Sequence, residues 1–403
     1  MNIIFLTAEP PWPLDQGDKL RNYHLLKALA EAHAVTLVSF CAPGEEEAPW
    51  REAVAPFCQA VYAEPLSRRQ MLLNAVLLPH LPLTMAARTS SKMARLLRRL
   101  TVAGRFDLAF ACQLKMAGYL RHCSVCRRVA DLTDTLSLYR HRMQRFASTR
   151  SSRFFSKIEA ARLARQERRI ARLTDRVLLT SPIDAAALQK LEPGARIAVL
   201  SNGVDLDYFQ PLPDPGGCEL LFYGHLRYPP NADGLIWFCR EIFPRVRKTV
   251  PEAVLNIVGK EPPPEVVALS RLPGVKLWGY VPDLRPYLAG ASLVVVPLRF
   301  GTGVRNKVLE ALAAGRAVVS TSLGCEGLEI APGKHLEVVD ESAGFAAAVV
   351  RLLRDPARRT VLAANGRKLV EKRYSWEAVG RKLLELEASS SQEQRYNKSK
   401  APF

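Results

Sequence analysis

The chain has 403 residues, 48% of them hydrophobic and 24% charged, with a formal net charge of +18 at pH 7. That length suits two domains of roughly 200 residues each rather than one, and the composition excludes wholesale disorder. The positive excess favours anionic partners (nucleotide phosphates, phospholipid headgroups or nucleic acid) without choosing among them.

In chain order, Asn2–Ala8 reads as a buried strand, too short and too soon broken by Pro10, Pro11 and Pro13 for an export signal. Lys19–Ala32 follows as a helix with Leu20, Tyr23, Leu26, Leu29 and Ala30 on one face. Val35–Phe40, Ala60–Ala63, Asp107–Ala111, Arg128–Asp131, Arg176–Thr180 and Ile197–Leu200 are short apolar strands separated by helical stretches. Ser181 and Asp184 form a capping box that opens a helix to Leu191. A second series holds Leu220–Tyr223, Val254–Val258, Val275–Trp278, Leu293–Pro297 and Ala317–Ser320. Strands this apolar are covered on both faces, and helical crossovers imply parallel pairing. Two doubly wound halves are predicted, with ligands at the carboxyl ends of the strands and a cleft where the halves face each other.

The eight cysteines are scattered, as in a protein of a reducing cytoplasm, and the lone Cys123-x-x-Cys126 lacks the second ligand pair of a zinc site. The apolar run from Met71 to Ala87 is broken by Pro79, His80 and Pro82 and is no membrane span. Two basic stretches stand out. Arg88–Arg99 sets Lys92, Arg95, Arg98 and Arg99 opposite Met93, Leu96, Leu97 and Leu100, and Arg140–Arg176 is rich in arginine with few acids. Each reads as a solvated helix face, as a surface for an anionic membrane or, third, as a surface for nucleic acid.

Pro297–Gly315 carries the most chemical information. A strand ends at Pro297, a loop with Gly301 and Gly303 follows, and a helix is expected from about Val304, with Gly315 as its C′ residue. The glycines permit close approach of a ligand to the backbone, and the free amides of the first turn favour an anion. Arg305 and Lys307 fall in that first turn, where cations oppose the helix dipole. A bound diphosphate would resolve the conflict. Glu310, one or two turns in, is placed to accept both hydroxyls of a ribose.

Five motifs then stand in order: Ser201-Asn-Gly-Val-Asp205 with Phe209, Leu221-Phe-Tyr-Gly224, Gly279-Tyr-Val-Pro-Asp283, Gly301-Thr-Gly303 through Lys307, Glu310 and Ala311, and Tyr374-Ser-Trp376. Together they resemble the C-terminal domain of the large retaining GT-B glycosyltransferase family of polysaccharide and lipopolysaccharide enzymes. Pro10-Pro11, Gly17-Asp18-Lys19, Arg21, Asp131, Asp134 and Ser137 are similar to the first domain of sugar transferases associated with exosortase-type exopolysaccharide clusters. The resemblance implies an α/β GT-B protein of two Rossmann-like domains facing across a cleft. Residues 1–203, joined by a returning helix at about 375–390, would form the acceptor side, 204–374 the donor-binding domain, and 391–403 a flexible tail. It implies a nucleotide-sugar donor, a glycan or lipid-linked acceptor, retention, and no metal or other cofactor. The enzyme is expected in the cytoplasm or on the inner face of the plasma membrane, in exopolysaccharide or other cell-surface glycan synthesis, with an anionic membrane surface as a further partner and no nucleic acid.

By the same resemblance Arg305, Lys307 and Arg227 are the candidate catalytic charges. Gly224, His225, Gly301, Thr302, Gly303, Val304 and Glu310 would hold the donor, and Gly17, Asp18, Lys19, Asp131 and Asp134 would face the acceptor. Three departures mark this chain. Thr302 stands where the commoner pattern has a first glutamate, Gly224-His225-Leu226 replaces Gly-Arg-Leu and lacks the lysine that usually follows, and Cys112-Gln113 stands in place of a histidine. The rival readings are another GT-B enzyme such as a sugar-nucleotide epimerase, or a non-catalytic nucleic-acid- or membrane-binding protein. No helix-turn-helix, zinc-finger or interleaved basic–aromatic pattern supports nucleic acid.

Overall fold

The computed structural model describes residues 1–45, 49–144 and 149–399, with side chains through Ser389. The chain divides into two compact units, one of Met1–Ser201 with the chain from Val379 onward, the other of Asn202–Ala378. The first carries β1 (Asn2–Thr7), β2 (Ala34–Cys41), β3 (Ala60–Pro65), β4 (Leu108–Cys112), β5 (Arg127–Thr133), β6 (Arg176–Leu179) and β7 (Ile197–Val199). They form one parallel sheet in the order β3-β2-β1-β4-β5-β6-β7. Ile3–Leu6 and Leu108–Cys112 have no exposed surface because helices cover both faces. The strand order reverses between β1 and β4, which is where ligands bind such sheets.

The second unit carries β8 (Glu219–Tyr223), β9 (Val254–Val258), β10 (Val275–Gly279), β11 (Leu293–Val296), β12 (Ala317–Ser320) and β13 (Glu337–Val338). These too are all parallel, ordered β10-β9-β8-β11-β12-β13, with the reversal between β8 and β11. On one face Phe238 packs on Phe243 and Phe345 beneath the sheet. Two parallel doubly wound sheets are the predicted architecture, and twelve of the thirteen strands stand where the apolar runs placed them. The exception is β13, whose two residues are too few to show any period. The helix Trp376–Ser399 extends past the expected end at about 390, so the backbone of 391–399 is helical where a flexible tail was expected, and 400–403 lie outside the described residues.

The first unit places one sequence candidate in an unexpected role. Arg21, on the helix Gly17–Ala30, is 1% exposed and Asp131 not at all. The guanidinium donates from Nε and Nη2 to the two carboxylate oxygens of Asp131, each at 2.8 Å. Nη1 and Nη2 donate further to the carbonyls of Ser201 and Leu200, each at 3.0 Å. One side chain thus ties the first helix, β5 and the end of the segment after β7. Asp131 is therefore not a residue offered to an acceptor. It is the buried counter-ion of Arg21, and both its oxygens are taken.

A buried pair is costly to break, because the survivor is left charged in a low-dielectric interior. Asp131→Ala should lower the unfolding free energy by about 3–5 kcal/mol in urea titrations. A wild-type midpoint would show that the pair does not hold these elements.

Candidate functional site

The reversal point of the second unit lies between the ends of β8 and β11. Gly224 follows β8, and the loop from Pro297 to Arg305 follows β11. The helix after that loop spans Asn306–Ala313, two residues later than the sequence suggested, and Gly315 follows its end with φ +66° as the C′ residue. Arg305 is accordingly the residue before the helix, in extended conformation, and Lys307 is the second helical residue. Phe300, Thr302 and Val304 are buried. The Arg305 guanidinium folds back beneath Gly301 and donates from Nη1 to the Thr302 carbonyl, while its buried Nε and Nη2 have no hydrogen-bond partner.

Lys307 turns toward the end of β8. Its Nζ donates to Asn231 Oδ1 at 2.8 Å and sits 4.1 Å from the centroid of the Phe222 ring. Asn231 in turn donates from Nδ2 to the His225 carbonyl at 2.8 Å. The Tyr223 hydroxyl donates to the Lys307 carbonyl at 2.7 Å and ties the first helical turn to the strand. Gly224 has φ +144°, and a Cβ there would lie 3.1 Å from both Lys307 Nζ and Asn231 Nδ2. Glycine is thus required twice, for conformation and for room. Asn202 adds a further tether, donating from Nδ2 to Asn306 Oδ1 at 2.9 Å. Among the described residues no carboxylate lies within ion-pair reach of Lys307 Nζ. A half-buried ammonium held by an amide oxygen and a ring face is a cation in need of an anion.

The remaining donor-side candidates are arranged differently. His225 Nε2 and Arg227 Nη1 share Glu261 Oε2, at 3.3 and 3.5 Å, and the Arg227 side chain is 74% exposed. Its charge already faces an acid, which that of Lys307 does not. Glu261 takes φ +54°, and hydrogen bonding to His225, aided by Arg227, holds its carboxyl below the usual range. Arg299 makes a two-pronged pair with Asp233, Nε to Oδ2 at 2.8 Å and Nη2 to Oδ1 at 2.6 Å. Asn231, Tyr223, Glu261 and Asp233 were not among the sequence candidates. Only Tyr223 carried a signal, as part of the Leu221-Phe-Tyr-Gly224 motif.

In the first unit, Gly17 opens its helix and is exposed, and Asp18 accepts from Gln113 Nε2 at 2.8 Å. Gln113 has φ +68°, and its backbone N–H donates to the Asp131 carbonyl at 2.6 Å. Lys115 Nζ lies 4.0 Å from Asp18, and burial, with Arg88 nearby, lowers its pKa. Lys19 pairs with Asp15 at 3.0 Å. Asp134 accepts from the Thr180 hydroxyl at 3.2 Å and is partly exposed, unlike Asp131.

Residues 217–355 match the family described as glycosyl transferases group 1, and residues 21–208 match that described as glycosyltransferase family 4. Both halves of the chain thus match glycosyltransferase family models, and the fold is GT-B. An uncharacterised 44.6 kDa protein of the cps region of Klebsiella pneumoniae is 27% identical over 174 residues, 41% of this chain and 45% of that protein. The phosphatidyl-myo-inositol mannosyltransferase of Mycolicibacterium smegmatis is 28% identical over 204 residues, 48% of this chain and 52% of the enzyme. The chain thus spans about half the length of the curated relatives it matches. Among solved structures, sucrose-phosphate synthase of Thermosynechococcus elongatus superposes with TM-score 0.71 at 18% identity, covering 96% of this chain and 98% of that one. HepE of Anabaena, in complex with UDP-glucose, gives 0.63 at 16% identity over 96% and 100%. These likenesses establish the fold.

The electrostatics of this site are finely balanced. Burial, with the charge of Arg305 beside it, lowers the Lys307 pKa from 10.5 to about 7, against the pull of Glu310. Burial raises Glu310 from 4.5 to about 7, against the Tyr223 hydroxyl and Lys307, which hold it down. Folding thus disfavours charge on Lys307. That destabilisation is full below about pH 7 and fades as the pH rises toward the unfolded value of 10.5. Lys307→Met should therefore raise the melting temperature of the ligand-free protein by a few degrees at pH 6.5, with a smaller gain at pH 9.5, read by differential scanning calorimetry. A gain that grew with pH would contradict the assignment.

Proposed function

We propose that the protein transfers a sugar from a nucleoside-diphosphate sugar to a glycan or lipid-linked acceptor in cell-surface glycan synthesis, with retention at the anomeric carbon. The observation that carries this reading is Lys307, a half-buried cation without an acid, set at the reversal point of the second unit's sheet beside a second incompletely satisfied cation, Arg305. A diphosphate seated there would accept from Lys307 and from the amides of the 301–304 loop, at the positive end of the helix Asn306–Ala313. Glu310 would take the ribose hydroxyls, and Thr302 would stand in for the absent first glutamate through its backbone and hydroxyl.

Breaking the sugar–phosphate bond places negative charge on the departing diphosphate and positive charge on the anomeric carbon. Charges fixed in place beforehand stabilise that state without reorganising. Lys307 and Arg305 supply them as side chains, and the reading needs no metal. Retention fits attack from the face that the leaving phosphate occupies, with that phosphate taking the acceptor proton. Gly17, Asp18, Lys19 and Asp134 are the acceptor-side candidates left once Asp131 is assigned to Arg21. The UDP-glucose complex of HepE and the mannosyltransferase relatives support a nucleotide-sugar donor and a glycan or glycolipid product. A relative in Rhizobium meliloti named for lipopolysaccharide core biosynthesis supports a cell-surface glycan.

Thermal shift against UDP-, GDP-, ADP- and dTDP-sugars identifies the donor, since ligand at 100 times its Kd stabilises by about 2.7 kcal/mol. With that donor, Lys307→Ala should lower transfer about a hundredfold. Full rate in the variant would refute the role. A diphosphate binds the protonated lysine and raises its pKa above about 7, so binding takes up a proton at higher pH. From pH 8 to 9, above the titration of Glu310, the Kd for the nucleoside diphosphate should rise by up to about tenfold. Lys307→Met should remove that slope in isothermal titration calorimetry, and an unchanged slope would place the proton elsewhere.

A further inference from the structure

The first unit exposes a surface that nothing in the donor chemistry explains. The helix Arg68–Leu77 presents Leu72, Leu73, Val76 and Leu77 at 71, 57, 75 and 64% exposure. These positions are i, i+1, i+4 and i+5, so the four side chains form one strip, and Arg68 and Arg69 continue it by one turn toward the helix start. The helix is not a frayed end. Ser67 caps it by accepting from the Gln70 amide, and Asn74 donates from its amide to the Thr89 carbonyl at 2.7 Å. Met71 turns inward against the core.

The strip continues onto neighbouring elements. The helix Arg68–Leu77 packs on the helix Leu83–Ala87, whose first residue bears an exposed side chain and donates its amide to Glu159 Oε1 at 2.8 Å. Glu159 lies on the helix Arg150–Leu173, one turn beyond Phe155, and Phe154 and Phe155 are both exposed. An exposed apolar patch of this extent on an otherwise well-packed unit marks a contact surface.

Charge selects the occupant. From Pro65 to Phe106 the chain has eight Arg and Lys and no Asp or Glu. Arg68, Arg69, Lys92, Arg95, Arg98 and Arg99 are all exposed. A second copy meeting this surface through a two-fold axis would set like charges against each other. A nucleic-acid backbone offers phosphates but nothing to cover leucine and valine. An anionic bilayer offers both, with acyl chains for the strip and headgroups for the arginines. Among the described residues no helix is long and apolar enough to cross a membrane.

We infer that this helix, with Phe154 and Phe155 beside it, is a shallow membrane-insertion element that docks the first unit on an anionic lipid surface. The inference rests on this surface alone, and it deepens the proposed function by stating where a lipid-linked acceptor would be met.

Vesicle flotation of the full chain tests it, using phosphatidylcholine alone and phosphatidylcholine mixed with phosphatidylglycerol. The protein should float with the mixed vesicles and remain behind with neutral ones. Replacing Leu72, Leu73, Val76 and Leu77 together by Ser should weaken binding at least about tenfold. Arg68→Gln and Arg69→Gln should each weaken it about fivefold. Melting temperature and nucleoside-diphosphate affinity should be unchanged in all three, which separates a failure here from a failure of the donor reading. The inference is overturned if the protein ignores anionic vesicles or if the serine variant floats as well as the wild type. It is equally overturned if sedimentation shows a dimer that the serine variant dissolves, or if nucleic acid binds where vesicles do not.

Discussion

An ammonium group kept out of water without a carboxylate to meet it is the constraint on which the C-terminal unit turns. Lys307 contacts an amide oxygen and a ring face, and among the described residues no carboxylate stands within ion-pair distance of it. Such a group is disfavoured in a folded protein unless an absent partner supplies the missing charge. Other features accommodate it. Gly224 yields the space and Asn231 aims the head group.

The two units make opposite use of the same topological position. In the first, an arginine on the helix after β1 reaches across the reversal point and is fully satisfied by Asp131 and two carbonyls. Its charge is closed and serves to fasten elements together. In the second, the cation on the helix after β11 is left open. The contrast explains why Asp131 misled a reading by residue type. A carboxylate at a strand end looks the same in sequence whether it serves a ligand or a neighbouring guanidinium, and only burial distinguishes the two.

Much of the rest was legible because it depends on composition along short windows. Apolar runs such as Ile3–Leu6 and Leu293–Val296 can be stable only as strands covered on both faces, so the two parallel sheets follow from them. The 301–310 segment was readable from its glycines and its two misplaced cations. Contacts between distant residues were not readable. Nothing in the order of residues announces that Asn231 would meet Lys307, or that Glu261 would adopt a left-handed conformation beside His225. The Arg68–Leu77 helix was also hidden. Its apolar run looks like core in sequence, and only the fold shows which side chains the rest of the unit leaves uncovered.

The Tyr223 hydroxyl, anchored on the carbonyl of Lys307, has an evolutionary consequence. It fastens the gripping end of the site to the sheet itself, whereas the neighbouring segments 225–228, 259–263 and 299–302 are joined to the framework as loops. Those loops can change length and chemistry while the foothold stays where it is. A scaffold so divided can acquire new sugar preferences by drift at its margins, without rebuilding the part that bears the charge.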